Sequence, residues 1–337
     1  MPLPSPVCDM ATHDRLTLSH DPAPHVHSLA EDVLTGLQTS PKRLSSCHLY
    51  DDLGSALFEA ITLLPEYSIT RAETEILEHA GGEIINHLAL NGAIDLIELG
   101  SGSGRKTSIL IETALRRQAH LFYHPIDVSR SSLITSAAQL LSAHDKLFVT
   151  AFVGDYRNFF RLRAFSSKHR TLVLFLGSSI GNYAPPEAIE LLRTISSAVQ
   201  PGSALLLGAD LKKSKLELEL AYNDPTGVTA CFNRNILGRI NRELGGHFDL
   251  GSFRYVVNYN EERGCIDSSQ ESTRSQRIKI DALDAEIPFA EGERIHIESS
   301  YKYDQHDLAD LARASNFKLD RTWTDTQGSY SLNLLIT

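Results

Sequence analysis

The feature of this sequence that most constrains its fold is a regular alternation of apolar and amphipathic segments between residues 93 and 210. The amphipathic segments, such as RKTSILIETALRRQ (105–118) and PPEAIELLRTISSAV (185–199), have apolar residues at helical spacing. The apolar segments have the length and composition of buried strands: AIDLIEL (93–99), LFYHPID (121–127), LFVTAFVGD (147–155), TLVLFLGSS (171–179) and SALLLGAD (203–210). This alternation predicts a parallel sheet covered by helices on both faces.

The pattern changes after residue 210. Two segments with helical spacing, KSKLELELAYND and NRNILGRINRELGG, precede three segments that alternate like antiparallel strands: SFRYVVNYN, SQRIKIDAL and ERIHIESSYKY. The last segments, FKLDRTWTD and SYSLNLLIT, predict an antiparallel hairpin at the edge of the first sheet.

These patterns predict an α/β protein with two domains. Residues 72–212 and 303–337 are expected to form a sheet of seven strands, and residues 25–71 and 213–302 a second, α+β substrate-binding domain. Residues 1–24 mix Pro, His, Asp and Ser without periodicity, so we expect a loose tail there.

Charge and composition exclude several classes of function. The formal net charge of the 337 residues is −10, which disfavours binding to nucleic acid or to an anionic membrane surface. The sequence shows no signal peptide and no apolar stretch long enough to span a membrane. Its four cysteines and scattered histidines have no metal-ligand spacing, so we expect reduced thiols, no metal site and a cytoplasmic location.

The segment IELGSGSGRKTS (97–108) predicts a ligand-binding turn at the carboxyl end of the first strand of the alternating region. Gly100, Gly102 and Gly104 permit positive φ angles and a close approach of the backbone to a ligand. Their G-x-G-x-G spacing differs from the G-x-G-x-x-G of dinucleotide sites, which argues against a nicotinamide oxidoreductase. Glu98, just before the turn, is expected to face a positive group of the ligand.

The next two strands also end in acidic residues. Asp127 is suited to accept hydrogen bonds from ribose hydroxyls, while Asp155 and Tyr156 are suited to the amino group and the ring face of adenine. A ligand with an adenosine part and a cationic sulfonium and amine part meets these requirements. The sequence therefore predicts S-adenosylmethionine (SAM) as cofactor and a Rossmann-like class I SAM-dependent methyltransferase sheet.

The chain resembles the ergothioneine-pathway L-histidine Nα-methyltransferase family from about residue 29 to its end. The resemblance is carried by YDDLGSALFEAITLLPEYSITRAE, IELGSGSGRKT, PIDVS, GDY, FLGSSIGNY, DLKKS, AYNDPTGVTACFNRNILGRINRELGGHFD and IHIESSYKY. It implies stepwise conversion of L-histidine to its trimethylbetaine, hercynine. The implied cofactor residues are Gly100, Lys106, Asp127, Asp155 and Tyr156, and the implied substrate residues are Tyr67, Asn182, Tyr222, Glu298 and Ser300, with Tyr50 nearby.

The chemistry of these side chains agrees with what the resemblance implies. Asn182 follows a strand of the parallel sheet, where its amide could orient an amine beside the sulfonium. Glu298 and Ser300 lie two apart on a predicted strand and so share one face, which suits the two nitrogens of an imidazole. Tyr50 is our candidate to accept the proton of the attacking amine, and together with Asn182 it forms the expected catalytic pair.

The sequence departs from the family pattern at two positions. Ser268 stands where a methionine is expected near the imidazole, and Ser68 replaces an aromatic residue that often follows Tyr67. Three alternatives therefore stay open: a paralogue acting on another aromatic or histidine-derived amine, an enzyme adding fewer than three methyl groups, and a non-catalytic SAM-binding protein. The absence of heptad repeats favours a monomer that acts on a small molecule.

Overall fold

The computed structural model describes residues 14–20, 28–89, 92–162 and 169–337. The helices are α1 Leu29–Gln38, α2 Asp52–Ile61, α3 Ile69–Ala89, α4 Arg105–Leu115, α5 Arg130–Ala143, α6 Tyr156–Leu162, α7 Pro185–Ala198, α8 Lys215–Tyr222, α9 Val228–Leu244 and α10 Gln305–Ala314. The strands are β1 Leu16–His20, β2 Lys42–Arg43, β3 Ile94–Leu99, β4 Leu121–Asp127, β5 Leu147–Val153, β6 Arg170–Phe175, β7 Ala204–Asp210, β8 Phe253–Asn260, β9 Cys265–Ser272, β10 Gln276–Ile280, β11 Ala285–Phe289, β12 Arg294–Tyr301, β13 Lys318–Thr324 and β14 Tyr330–Ile336.

The large sheet has the strand order β1-β5-β4-β3-β6-β7-β14-β13. Strands β3 to β7 pair in parallel, and β14 and β13 follow as an antiparallel hairpin, so the seven predicted strands and their terminal hairpin are confirmed. The chain runs outward from β3 through β4 to β5 and then returns to β6 on the other side of β3. Ligands bind at such a switch point, outside the carboxyl ends of the strands.

The prediction of a loose N-terminal tail is wrong for residues 16–20. They form β1, which pairs in parallel with β5 from Leu16↔Val149 to His20↔Val153 and makes the sheet eight-stranded. The guanidinium of Arg15 donates to the backbone carbonyls of Leu141 and His144 at 3.1 and 2.7 Å. A five-residue edge strand is too short to show a periodicity, and its stabilising partner lies far along the chain. The rest of the predicted tail lies outside the described residues.

A second, four-stranded sheet has the order β2-β12-β9-β8. Strand β9 was not predicted, because its sequence CIDSSQES is polar although most of its side chains are buried. Strand β10 was predicted, but it pairs with β11 in a separate hairpin. Strand β12 therefore has β9 on one side and the short β2 on the other.

One continuous hydrophobic cluster extends between the two sheets, and a second cluster packs α7 and α10 against the other face of the large sheet. The first cluster includes Val33 of α1, Ile236 of α9 and Ile295 of β12 as well as Leu96 of β3 and Leu332 of β14. The division into two domains at the stated boundaries stays a prediction. Within the described ranges, we find no helix that is both long and apolar enough to cross a membrane.

Candidate active site

The glycine turn after β3 has the backbone that the sequence predicts. Gly100, Gly102 and Gly104 have φ angles of 67°, 49° and 67°, in the left-handed region that favours glycine. A Cβ atom at Gly100 or Gly102 would meet no atom within 4 Å, whereas one at Gly104 would lie 3.3 Å from Leu140 of α5. The first two glycines thus leave open space for a ligand, and the third allows α4 and α5 to pack closely.

Asp127, at the end of β4, lies directly against this turn. Its carboxylate accepts hydrogen bonds from the backbone N–H groups of Gly102 and Ser129 at 3.0 and 2.9 Å. Burial raises the pKa of Asp127, and these backbone bonds oppose that effect. Asp127 is thus held in a fixed orientation beside the turn, as a ribose-binding carboxylate requires.

The expectation that Glu98 faces a positive group of the ligand is wrong. Its side chain is buried and accepts hydrogen bonds from the hydroxyls of Thr107 and Tyr123. Burial raises its pKa to about 7 in spite of these bonds. Both faces of β3 are covered, so a side chain just before the turn points into the protein instead of toward the ligand.

Lys106, in the first turn of α4, forms an ion pair with Glu73 of α3. The fully buried carboxylate of Glu73 also accepts hydrogen bonds from the N–H of Gly177 at 2.9 Å and the hydroxyl of Tyr330 at 2.5 Å. Glu73 thereby holds in place both Lys106, a candidate cofactor-binding residue, and the loop after β6. Sequence reasoning missed it, because a glutamate in an amphipathic helix gives no signal of burial.

Asp155 and Tyr156, after β5, are both held by neighbouring side chains. Asp155 forms an ion pair with Arg157, with Nη2 2.6 Å from Oδ2. The hydroxyl of Tyr156 is hydrogen-bonded to that of Tyr183, and its ring packs edge-on against Phe175 at 5.6 Å between centroids. Both predicted adenine contacts therefore lie at the carboxyl edge of the sheet, although the Asp155 carboxylate is shared with Arg157.

A pocket beside this edge brings together all six predicted substrate and catalytic residues. They come from five separate places in the chain, and they are Tyr50, Tyr67, Asn182, Tyr222, Glu298 and Ser300. Gly177 and Ser178, from the loop that Glu73 fixes, line the same pocket. The pocket therefore adjoins the predicted cofactor site.

An aromatic wall forms one side of the pocket. The rings of Tyr50 and Phe58 lie 5.6 Å apart, those of Tyr50 and Phe232 5.4 Å apart, and those of Phe58 and Tyr67 6.2 Å apart. Edge-on packing of this kind holds the rings in place. Phe58 and Phe232 were not predicted, since single apolar residues on α2 and α9 indicate only an ordinary core.

Strand β12 is shaped so that its polar residues reach the pocket. Its register with β9 shifts between His296 and Glu298, an irregularity that re-aims the following side chains. Glu298 and Ser300 both line the pocket, as their spacing predicts. The loop after β6 packs closely against β12 because residue 181 is glycine. A Cβ atom there would lie 2.7 Å from the carbonyl oxygen of Tyr301.

The two positions that depart from the family pattern differ in their surroundings. Ser268 lies opposite Glu298 on β9, is buried, and donates a hydrogen bond of 3.4 Å to Asn233, which lines the pocket. Ser68 stands just before α3 and is not among the described residues that line the pocket. Ser268 itself is also not among the described residues that line the pocket, so the change at residue 268 acts on the wall through Asn233, and no such contact links residue 68 to it.

Burial governs the protonation of the pocket. It raises the pKa values of Tyr50, Tyr67 and Tyr222 well above that of an ordinary tyrosine, and nearby negative charges add to the effect. Burial also raises the pKa of Glu298, and the charge of Lys302 opposes this. The tyrosines are thus hydroxyl donors at neutral pH.

Comparison with known proteins gives the family. The model of a family described as histidine-specific, SAM-dependent methyltransferases matches residues 29–337. This chain belongs to that family. It is therefore a SAM-dependent N-methyltransferase, which excludes the nicotinamide oxidoreductase and the non-catalytic binder.

Two relatives found by sequence agree with this assignment. The histidine N-alpha-methyltransferase of Mycolicibacterium smegmatis is 38% identical over 310 residues, which cover 92% of this chain and 95% of the relative. The ergothioneine biosynthesis protein 1 of Neurospora crassa is 30% identical over 88% of this chain but only 33% of its own length. Among solved structures, a magnesium protoporphyrin IX methyltransferase from Synechocystis covers 85% of this chain and 95% of its own, with 12% identity and a TM-score of 0.44.

Proposed function

We propose that this enzyme methylates the α-amine of L-histidine three times and forms hercynine, the first step of ergothioneine biosynthesis. The observation that carries the proposal is the pocket at the carboxyl edge of the sheet, which combines an aromatic wall with polar groups suited to every part of histidine. Two bacterial relatives named histidine N-alpha-methyltransferase, each 38% identical to this chain, support the choice of substrate.

The pocket offers a partner for each polar group of histidine. We assign the α-carboxylate to the hydroxyls of Tyr67 and Tyr222, which burial keeps protonated. We assign the α-amine to the amide of Asn182. The carboxylate of Glu298 suits the imidazole N–H, and the hydroxyl of Ser300 suits the other imidazole nitrogen.

The cofactor site combines the open glycine turn with residues that the neighbouring strand ends supply. The backbone of Gly100 would approach the cofactor closely, and Lys106 would bind the carboxylate of the cofactor. Asp127 would bind its ribose, and Asp155 and Tyr156 would contact its adenine. Bound SAM supplies an electrophilic methyl group on a sulfonium.

The residues of the chain orient the substrate and exclude water from the reacting atoms. Asn182 orients the neutral amine, whose lone pair must point at the methyl carbon, and the aromatic wall excludes water. Tyr50 is a phenol at neutral pH, so its oxygen accepts a hydrogen bond from the amine, and it takes over the amine proton only as its own hydroxyl proton leaves toward solvent outside the pocket. Repeated transfer requires space for the amine to rotate within the pocket.

A paralogue acting on another aromatic amino acid is the second candidate. Asn233 in the pocket wall, bonded to the buried Ser268 behind it, favours it, because the family resemblance leads us to expect an apolar methionine at residue 268 in a histidine enzyme. The L-tryptophan methyltransferase trpM of Psilocybe serbica, 25% identical over 92% of each chain, is a relative with another named substrate. Glu298 favours histidine, since an indole has one N–H and no second nitrogen for Ser300.

Mass spectrometry of the purified enzyme with SAM and a mixture of the common amino acids tests the proposal. We expect histidine to gain three methyl groups. Gain of mass on another amino acid supports the paralogue, and accumulation of mono- or dimethylhistidine contradicts the assignment of hercynine as product.

We further propose that the enzyme acts as a cytoplasmic monomer. Cys47, Cys231 and Cys265 are free thiols, as a reducing compartment favours. Light scattering of the purified protein measures the mass, for which we expect one chain of 37.3 kDa.

A further inference from the structure

A buried lysine lies behind the substrate pocket. Lys302 follows β12 directly, and its side chain is fully buried. Its ammonium forms an ion pair of 2.9 Å with Oδ2 of Asp210, which is also buried at the end of β7. A lysine just after a strand is ordinarily solvated, so this burial needs a physical reason.

The same ammonium contacts two of the side chains that line the pocket. Its Nζ donates to the hydroxyl oxygen of Tyr222 at 2.9 Å and to Oγ of Ser300 at 3.0 Å. The two hydroxyl oxygens are themselves 2.8 Å apart. The ammonium thus donates two hydrogen bonds to the pocket side chains and forms an ion pair with Asp210 on its other side.

This arrangement decides where the hydroxyl protons point. Because both oxygens accept from Lys302, each hydroxyl hydrogen must find another acceptor. Both hydrogens are thus directed away from Lys302, either across the 2.8 Å between Tyr222 and Ser300 or into the pocket. Since both residues line the pocket, both hydroxyls can donate to a bound substrate.

The carboxylate of Asp210 has a second cationic partner. Lys213 also lies 2.7 Å from this carboxylate, at Oδ1, so two cations share one anion. Asp210 and Glu298 are the negative charges that act on Tyr222, and Lys302 is the cation in direct contact with its hydroxyl, which we assign to the substrate carboxylate. The charge of Lys302 acts strongly in this buried site, where screening by water is weak.

We propose that Lys302 is a positioning and specificity-determining residue, which orients the hydroxyls of Tyr222 and Ser300 and favours amines that carry an α-carboxylate. The inference rests on the proposed function for the identity of the amino acid but not for the role of the lysine. A purely structural ion pair between β7 and β12 is the alternative, since apolar residues often replace such pairs at little cost in stability.

Steady-state kinetics of Lys302→Met tests the proposal. We expect the KM for the amino acid to rise by about tenfold to a hundredfold, the range for a lost hydrogen bond to a charged group. The kcat should change by less than about threefold, because the lost interaction binds substrate and transition state alike. The preference for histidine over histamine, which lacks the carboxylate, should fall. An unchanged KM and preference would overturn the proposal.

Two further variants separate positioning from structural support. Lys213→Met removes the other cation on Asp210 and should leave the KM nearly unchanged, because among the described contacts Lys213 reaches neither Tyr222 nor Ser300. Lys302→Gln keeps a hydrogen-bond donor and should recover part of the affinity. A parallel loss of S-adenosylhomocysteine (SAH) binding in Lys302→Met, measured by calorimetry, would indicate general disruption and contradict the proposal. If that variant does not fold, Lys302→Met with Asp210→Asn removes both charges and takes its place.

An NMR experiment keeps the inference independent of the substrate. The enzyme is labelled at the Cζ carbon of tyrosine, and the Tyr222 signal is identified by its loss in Tyr222→Phe. We expect Lys302→Met to move this signal, whichever amino acid the wild type methylates, and to leave that of Tyr123, bonded to Glu98, in place. An unmoved Tyr222 signal would refute the role of Lys302 even if histidine is the substrate. A wild type that ignores histidine would refute the proposed function alone.

Discussion

At the scale of single residues, Glu298 is the group on which the choice of substrate depends most directly. We expect Glu298→Gln to raise the KM for histidine by about tenfold to a hundredfold, because a charge-assisted bond to the imidazole is lost. Binding of SAH, measured by calorimetry, should not change. Glu286→Gln on the separate β10–β11 hairpin is the matched control. Unchanged histidine kinetics in Glu298→Gln would refute the imidazole contact.

The raised pKa of Glu298 adds a dependence on pH. Burial favours the neutral acid, so this carboxyl takes up its proton at a higher pH than an ordinary glutamate. The neutral acid accepts hydrogen bonds poorly, and the KM for histidine should therefore rise as the pH falls through this pKa. The imidazole of free histidine also takes up a proton as the pH falls below about 7. The KM for histidine is measured from pH 5 to 8 in the wild type and in Glu298→Gln, and the difference between the two profiles gives the contribution of Glu298. Parallel profiles would contradict a role of Glu298 in the pH dependence.

Single residues also show what the sequence can predict. The spacing of Glu298 and Ser300 predicts a shared face, because side chains alternate along a strand. Lys302, two positions further on, could not be predicted, since its burial depends on Asp210 and Tyr222 from distant parts of the chain. The burial of Glu73 likewise depends on Tyr330, 257 positions away.

At the scale of elements, the start of α9 positions one wall of the pocket. The carboxylate of Asp224 accepts hydrogen bonds from the N–H groups of Val228 and Thr229 at 3.0 and 2.8 Å and from the hydroxyl of Thr226. Burial alone would raise the pKa of Asp224, but these bonds outweigh it and lower the pKa to about 2. This carboxylate, which caps the start of α9, therefore keeps its charge in all but strongly acidic solution.

We expect Asp224→Ala to lower the free energy of unfolding by about 1 kcal/mol and to raise the KM, because α9 carries Phe232 and Asn233. The folded-state pKa lies below the unfolded value of about 3.9, so the stabilisation is complete above that value and is lost as the pH falls through about 2. Urea unfolding at pH 7 and pH 3 measures this, with a smaller difference at pH 3.

Asp304→Ala is the control for this cap. Asp304 caps α10, and its pKa is also lowered to about 2, chiefly by the hydrogen bond from Lys212. Among the described residues that line the pocket, none belongs to α10. This variant should lose stability without a change in KM, and an equal rise in KM in both variants would contradict the role of α9.

The elements differ in how well the sequence predicts them. The strands of the parallel sheet are apolar on both faces and are evident from composition. Strand β9 is buried but polar, because its serines and glutamine lie between two other strands and against α9, a placement that only the tertiary structure reveals. Strand β1 depends on an edge that β5 offers from far along the chain.

At the scale of the whole molecule, the continuous hydrophobic cluster between the two sheets predicts one cooperative unfolding transition. Calorimetry of the wild type should show a single peak, and SAH at a hundred times its Kd should stabilise the protein by about 2.7 kcal/mol. In Asp127→Ala the same concentration of SAH should shift the peak less, with little change in the unliganded protein. Two separate peaks in the wild type would contradict the continuity of this cluster.

The hydrogen bond between Glu73 and Tyr330 also has a consequence for how the enzyme is made. Strand β14 lies inside the sheet, between β7 and β13, so the sheet is complete only when residues 330–336 have been synthesised. The carboxylate that holds Lys106 and Gly177 therefore waits for a partner that is synthesised 257 positions later. A chain that stops before residue 330 should not retain SAH, and the growing enzyme acquires its cofactor only after Tyr330 has joined the sheet.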